Sequence, residues 1–587
     1  MFHDITMVAT NQNIASDVTE DKKLKKALST WDLLFLSLGG IIGSGWLFAA
    51  AASAGTAGPS AIYAWIIGGV LIIFIALVYA ELGGMLPRSG AIVRYGHYSH
   101  GGLAGLIFGW AYFLSAVSVP AVEAEGVITY AASYTPKYHI ILATTSTNPI
   151  TGVPLLILTP LGILLAAILI VAFFMLNYAG VRLMGKTNTG MTWWKLIIPA
   201  ATIVILFVVG FHTYEFTDIA SGGFLPYGWP AVFAAVSTDG IVFSYLGFRQ
   251  AVDYGGEAKT PQKSIPIAVI GSVLIGIFVY VLLQVVFIGH LNLGAIGNNW
   301  SILTAPPTSN AYATSISSAP FATLATSAGL VALTYILYAD AYVSPSGTLN
   351  VYAGTSARTL FGLGENGYLP ESIKRVNKRT KVPVLSIILS MIIGLVFLAP
   401  FPSWYALVSL ITSSTAFTYI VGGSALMVFR REAGELKRPF KLAGASILAP
   451  IAFIGATLIV YWSGWPTVGI LSIAIFLGLL VYFILLLLAR YNIVHGIENI
   501  FTNKTIKAGI WVPAYILILD LLSYIGEKDY GGIGILKFPI DFLVVIVVGI
   551  IFYVISYYSG YRTEEISNII ESGTQYIGEE TETAGAK

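Results

Sequence analysis

Five ionisable residues lie inside long apolar stretches: Glu123 and Glu125, Lys195, Arg249 and Asp340. A charged side chain at the centre of a bilayer costs about 2.5–3.5 kcal/mol on insertion scales, so each needs a function or a partner. Lys195 follows Trp193-Trp194, and it lies nine residues from Lys186, about 14 Å along a helix. That depth favours a buried amine that binds and releases a proton over a lysine snorkelling to the headgroups. Asp340, Ser344 and Thr348 are spaced by four and form one polar stripe on a helical face. Its hydroxyls either serve an ion site or bond between helices. Glu123 and Glu125 project about 200° apart, so at most one faces a central cavity. A cavity carboxylate would favour cationic substrates, and a partnered one would be structural.

Two stretches would not be chosen for a continuous lipid-facing helix. Gly39-Gly40-Ile41-Ile42-Gly43-Ser44-Gly45 puts four glycines in seven residues, and each costs up to about 1 kcal/mol in a helix interior. The second stretch runs Asp239-Gly240-Ile241-Val242-Phe243-Ser244-Tyr245-Leu246-Gly247-Phe248. Unwound backbone at membrane depth is tolerated only where it lines a cavity or is buried in protein. Two such breaks five spans apart are the signature of an inverted-repeat transporter. The half-helix after the first break offers N–H groups near Ser44 and Gly45 to a carboxylate. Carbonyls near Phe243 and Tyr245 can accept from an ammonium group, so the pair suits a zwitterion. The alternative is a pair of glycine packing faces.

Composition agrees with a membrane solvent. Of 587 residues 56% are hydrophobic and only 10% charged, against about 25% charged in a soluble domain. This excludes a soluble enzyme, a nucleic-acid binder and a secreted disulfide scaffold. There is no cysteine, and HxxxH, HExxH, GxSxG and P-loop patterns are all missing. We therefore expect no enzyme, no metal, no cofactor and no direct use of ATP. Apolar blocks fall near 28–54, 59–86, 101–133, 154–179, 187–211, 230–254 and 265–290. Others fall near 320–353, 382–400, 404–429, 447–463 and 466–490, with a last pair near 508–526 and 536–559. With a cytoplasmic N-terminus, all but five of the 31 Lys and Arg fall on inner segments. The exceptions are Lys137, Lys528 and Lys537 outside, and Lys195 and Arg249 within the membrane, as the positive-inside rule requires. Both termini are expected in the cytoplasm and the protein in the cell membrane.

These residues resemble the amino acid–polyamine–organocation (APC) superfamily of amino acid permeases. Gly40-Ile41-Ile42-Gly43-Ser44-Gly45 is similar to the first-helix motif that holds the substrate's α-carboxylate. Phe243-Ser244-Tyr245-Leu246-Gly247-Phe248, followed by Gly256-Glu257-Ala258-Lys259-Thr260-Pro261, is similar to the sixth-helix segment and its inner loop. Tyr79-Ala80-Glu81-Leu82 with Pro87-Arg88-Ser89-Gly90, and Arg358-Thr359-Leu360 with Asn366-Gly367-Tyr368-Leu369-Pro370, resemble the loops after the second and eighth helices. The resemblance implies substrate contacts at Ile41, Ile42, Gly43, Ser44, Gly45, Phe243, Ser244, Tyr245 and Gly247, to which Glu123 is added. It also implies that Lys195 stands in for a sodium ion between the first and eighth helices, near Ser344, Ser346 and Thr348. Phe243, Tyr245 and Phe248, with Arg249 and Asp253, are the candidate gate.

Arg249 departs from the family, many of whose members carry an acidic residue there. Asp253, four residues on, is expected to pair with it; the alternatives are an inner-gate role or recognition of an anionic group. Trp46 is also bulkier than the usual Ile and would narrow the pocket.

The expected fold is an all-α polytopic membrane protein with a five-plus-five inverted-repeat core and two to four extra C-terminal helices, twelve to fourteen in all. A tail at 1–27 precedes a core at 28–430, with repeats near 28–211 and 230–430. Two helices at 447–490, a further pair at 508–559 and an acidic cytoplasmic tail at 560–587 follow. The expected function is secondary active transport of amino acids by alternating access, in proton-coupled symport. The alternatives are a sodium-independent exchanger and a polyamine or organocation transporter. The partners are then an amino acid, protons and the lipid bilayer.

Overall fold

The computed structural model describes residues 24, 26–147, 154–307, 309–399 and 403–576. Lys22, Lys23, Lys25 and the acidic end of the tail with Lys587 lie outside these residues. The chain is helical almost throughout. In order come α1 (Thr30–Ile41), α2 (Ser44–Ala57), α3 (Ala61–Met85), α4 (Ala91–His100) and α5 (Gly102–Ala132). A two-stranded hairpin, β1 (Ala143–Thr147) and β2 (Pro154–Leu158), precedes α6 (Pro160–Tyr178) and α7 (Val181–Val208). The second half opens with α8 (Gly228–Thr238), α9 (Ile241–Tyr245), α10 (Gln250–Asp253) and α11 (Pro261–Ile288). Then follow α12 (Ala311–Ser318), α13 (Pro320–Ser327), α14 (Val331–Glu365), α15 (Val384–Val396) and α16 (Trp404–Glu432). The C-terminal part holds α17 (Ala445–Trp462), α18 (Thr467–Arg490), α19 (Asn503–Gly509), α20 (Trp511–Ile525), α21 (Ile540–Ser559) and α22 (Glu564–Glu571).

By length and composition, ten helices among the described residues can cross a membrane, or eleven with the pair Gly228–Thr238 and Ile241–Asp253, bent by 46°, taken as one span. Helices satisfy their own backbone hydrogen bonds, which a bilayer core demands. The fold is that of an all-α polytopic membrane protein, as the sequence led us to expect. Two boundaries differ from expectation. The block near 154–179 begins as a strand paired to Ala143–Thr147, and its helix starts at Pro160, capped by the Thr159 side chain. The block near 320–353 is two helices, the second running on to Glu365.

Helix α1 starts on a capping box in which Ser29 and Asp32 satisfy each other's backbone N–H groups. It stays helical through Gly39 and Gly40 and ends at Ile41; the break is confined to Ile42 and Gly43. The expectation that the whole glycine run unwinds is therefore too broad. Gly39 and Gly40 serve close approach instead: a Cβ on Gly40 would lie 3.0 Å from the Gly247 Cα. The second break needs Gly240, whose φ of 87° lies in the left-handed region. After α9 the chain tightens to a 3₁₀ turn over Leu246–Arg249.

The Lys/Arg-rich end is closed by ion pairs and by the C-terminal segment. Arg358 grips Glu257 at 2.5 and 3.0 Å, and Arg430 Nη2 reaches Glu81 Oε2 at 2.5 Å. Residues 561–575 lie across α4. The Tyr561 N–H donates to Ser99 O and the Thr563 hydroxyl to Tyr98 O, both at 3.0 Å. Arg88 donates to Thr574 O at 2.8 Å, and His97 meets Glu565 at 3.2 Å.

Candidate functional site: two helix breaks, a buried lysine and a buried arginine

The two breaks pack directly on each other. Ser244 lies against Gly45, where a Cβ would collide with its hydroxyl, and Ser37 Oγ donates to Phe248 O at 3.3 Å. Helix α2 therefore starts in the middle of the protein with its N-terminus facing α5. There the Ser44 N–H donates to Glu123 Oε2 at 2.7 Å, while Glu123 Oε1 has no partner. A Cβ on Gly43 would come within 2.6 Å of both Glu123 Oε1 and Thr348 Oγ1. Of the two acidic residues on α5, Glu123 faces the break, and Glu125 is buried with both oxygens unpartnered.

Lys195 does not snorkel. Its amine is fully buried and donates to Gly39 O at 2.6 Å and to Thr348 Oγ1 at 2.8 Å. Thr348 in turn reaches Gly39 O at 2.8 Å and Ile42 O at 3.3 Å. The amine thus bridges the carbonyl end of α1 and the face of α14, where the negative end of the α1 dipole favours its charged form. Gly347 makes room for it, since a Cβ there would lie 3.0 Å from the Lys195 nitrogen. Ser344 does not join this group; its hydroxyl donates to Asp340 at 2.7 Å.

The aromatic residues of the second break separate. Phe243 meets Trp404 edge-on at 6.2 Å, and Trp404 donates its indole N–H to Ser44 Oγ at 2.7 Å. Tyr245 turns the other way, donating to Trp65 O at 3.2 Å and packing on Tyr280. Phe248 packs on Tyr79 and Tyr419. The Phe243 carbonyl already accepts from the Leu246 N–H, and the Ile41 carbonyl accepts from the Tyr280 hydroxyl at 2.6 Å. Trp46 packs on Phe321 at 5.4 Å. Trp404 and Tyr280 are contacts of the first break that sequence reasoning missed, and neither stands in a pattern that would have marked it.

Arg249 and Asp253 are both buried but do not pair as expected. Tyr112 stands between them, donating its hydroxyl to Asp253 Oδ2 and offering its ring face to Arg249 at 4.7 Å. Arg249 Nη1 instead donates to Ser115 Oγ at 3.2 Å and Thr415 Oγ1 at 3.4 Å. Tyr352 covers the guanidinium from another side at 5.0 Å.

At the end away from the Lys/Arg-rich loops, a cavity of about 500 Å³ opens beside the second break, lined by Asp239, Thr56, Tyr405 and Ser409 among others. Its lining does not include Ser44, Phe243, Trp404 or Lys195, which are buried deeper, around the two breaks.

Comparison with known proteins places this geometry in a family. Residues 28–489 match the model of the family described as amino acid permease. The chain is 38% identical over 568 residues to the glutamate/serine transporter AimA of Bacillus subtilis, covering 96% of this chain and 99% of that protein. It is 33% identical over 545 residues to the aspartate-proton symporter of the same species, covering 92% and 98%. The branched-chain amino acid permease BcaP, also of B. subtilis, is 23% identical over 81% of this chain and 96% of its own length. From the two breaks and from these relatives alike, the chain is a multi-pass membrane transporter, not an enzyme, and belongs to the amino acid permease family.

Proposed function

We propose that this transporter takes up amino acids by proton-coupled symport, with Lys195 as the coupling cation. The observation that carries the reading is the Lys195 amine held between Gly39 O and Thr348 Oγ1. A lysine in that position supplies the positive charge that ties α1 to α14, and deprotonation releases the tie. The relative named aspartate-proton symporter supports protons as the driving ion. The names of the glutamate/serine transporter AimA and the aspartate-proton symporter support acidic amino acids among the substrates.

The substrate's α-carboxylate binds the N-terminus of α2 at Ser44 and Gly45, and its ammonium binds carbonyls of the broken α8–α9 segment. Phe243 and Trp404 cover it from the end where the 500 Å³ cavity opens. Repeats near 28–211 and 230–430 rock against each other, with the Lys/Arg-rich end in the cytoplasm of the cell and both termini there.

Uptake into proteoliposomes in sodium-free buffer tests this. An acidic outer compartment should drive accumulation, since a proton gradient supplies about 1.36 kcal/mol per pH unit per proton, and a protonophore should abolish it. Accumulation that needs sodium, or ignores the pH gradient, would reject the reading.

A further inference from the structure

Arg249 is fully buried, yet only part of its guanidinium is used. Nη1 is held by the Ser115 and Thr415 hydroxyls, and the rings of Tyr112 and Tyr352 cover its faces. Nε and Nη2 have no acceptor. Asp253 does not pair with it: its Oδ2 accepts from the Tyr112 hydroxyl and its Oδ1 has no partner. Were packing the only need, an apolar side chain would fill this space without stranding donors. Two free nitrogens on one edge of a planar fork are the geometry that recognises a carboxylate.

Its position relative to the helix breaks is also specific. Ser115, which holds Arg249, precedes Glu123 by eight residues on α5, about 12 Å along the axis. Tyr352 follows Thr348 by four residues on α14, about 6 Å. Arg249 therefore lies one to two turns from the Ser44 N–H, on the side of the Lys/Arg-rich end. An extended glutamate sets its two carboxyl carbons about 5 Å apart. A C–O bond and a hydrogen bond add about 4 Å at either end, giving a reach of roughly 13 Å between donors. Along α16, between Trp404 at Ser44 and Thr415 at Arg249, the Thr412 hydroxyl is buried without a partner.

We infer that Arg249 is the side-chain recognition residue of this transporter. Its free Nε and Nη2 bind the distal carboxylate of a four- or five-carbon acidic amino acid whose α-carboxylate sits at Ser44. This assignment rests on the reading that amino acids bind between the two helix breaks. It adds the side chain that the site selects and the residue that selects it.

Glutamate and glutamine, equal in length and differing in charge, separate the cases. Uptake of each by the purified protein in liposomes should favour glutamate in kcat/KM by about tenfold or more, the worth of charge-assisted bonds to a buried arginine. Arg249→Gln should collapse that ratio to within about threefold, and Arg249→Lys should keep part of it. A wild-type protein that treats the two alike overturns the assignment and leaves amino acid transport standing. An Arg249→Gln variant that loses both equally, with the ratio kept, also overturns it and makes Arg249 a gate or a packing residue. If Arg249 variants do not fold, competition on the wild type decides: glutamate γ-methyl ester should compete at least about tenfold worse than glutamate, and equal competition overturns the proposal. Failure to take up any amino acid would instead remove the transport reading, and this assignment with it.

Discussion

Glu123 accepts the backbone N–H of Ser44 at 2.7 Å, and that donor is the one the proposed carboxylate site at the start of α2 would use. Two carboxylates sharing one site do not both stay ionised. An arriving amino acid must therefore displace Glu123 or bind with it protonated, and the second route links proton uptake to substrate binding wherever Glu123 starts out ionised.

Glu123→Gln keeps an acceptor for Ser44 and removes the charge. Binding measured calorimetrically in buffers of different ionisation enthalpy should show proton uptake of up to about one per substrate in the wild type at neutral pH. In the variant this should fall, and affinity should depend less on pH. Undiminished proton uptake in Glu123→Gln would take Glu123 out of the coupling.

Gly347→Ala probes the lysine from the opposite helix. The new methyl group would lie 3.0 Å from the Lys195 nitrogen and 3.3 Å from its Cε, so the flexible side chain must shift by a few tenths of an ångström, which strains its bond to Gly39 O. We expect about 1–3 kcal/mol of lost stability from overpacking, together with weakened pH dependence of uptake. Uptake with a wild-type pH profile would show that the amine need not sit where it does.

Phe243 and Tyr245 should behave differently. Phe243→Ala removes the ring that meets Trp404 above Ser44, and should raise KM or permit leak. Tyr245→Phe loses a hydrogen bond to Trp65 O, which should cost about 0.5–1.5 kcal/mol of stability and leave KM within about twofold. Equal transport defects in both variants would mean that Tyr245 also closes over the substrate.

The C-terminal segment should undock in acid. Burial raises the Glu565 carboxyl, but His97 beside it and its own helix-start hydrogen bonds more than reverse this and hold it at about 2, below the ordinary 4.5. A carboxyl depressed on docking stabilises the docked state above about 4.5, and that contribution fades as pH falls towards about 2. Hydrogen-exchange protection over 561–575, taken relative to the intrinsic exchange rate at each pH, should accordingly fall across that window in the wild type, and in Glu565→Gln it should already be lower at pH 7. Identical exchange in the two proteins at pH 7 would remove the ion pair as the latch.

Much of this was legible in sequence because the bilayer simplifies the code. Apolar block length announces spans, glycine clusters announce close approach or breaks, and a lysine at mid-membrane depth announces a buried amine. What stayed hidden needed long-range geometry. Gly39 and Gly40 read as unwinding residues, but Gly39 makes room for the Asn188 and Thr192 side chains and Gly40 for the backbone of Gly247, more than 200 residues away. Trp404 lies 360 residues from Ser44, and a tryptophan at a helix start carries no mark of its partner. The spacing of Arg249 and Asp253 predicted a direct pair, because helical periodicity sees its own helix alone. Tyr112 of α5 intervenes by satisfying one with its hydroxyl and the other with its ring.

The central claim is that the Lys195 amine, fixed between Gly39 O and Thr348 Oγ1, couples transport to protons. Its most direct test is the initial rate of amino acid uptake into proteoliposomes as outer pH is lowered, in wild type, Lys195→Ala and Lys195→Arg. Wild-type uptake should rise with falling outer pH. Lys195→Ala should lose that dependence, keeping at most exchange, and Lys195→Arg should not restore it because a guanidinium does not deprotonate in proteins. PH-driven accumulation that survives in Lys195→Ala would contradict the account.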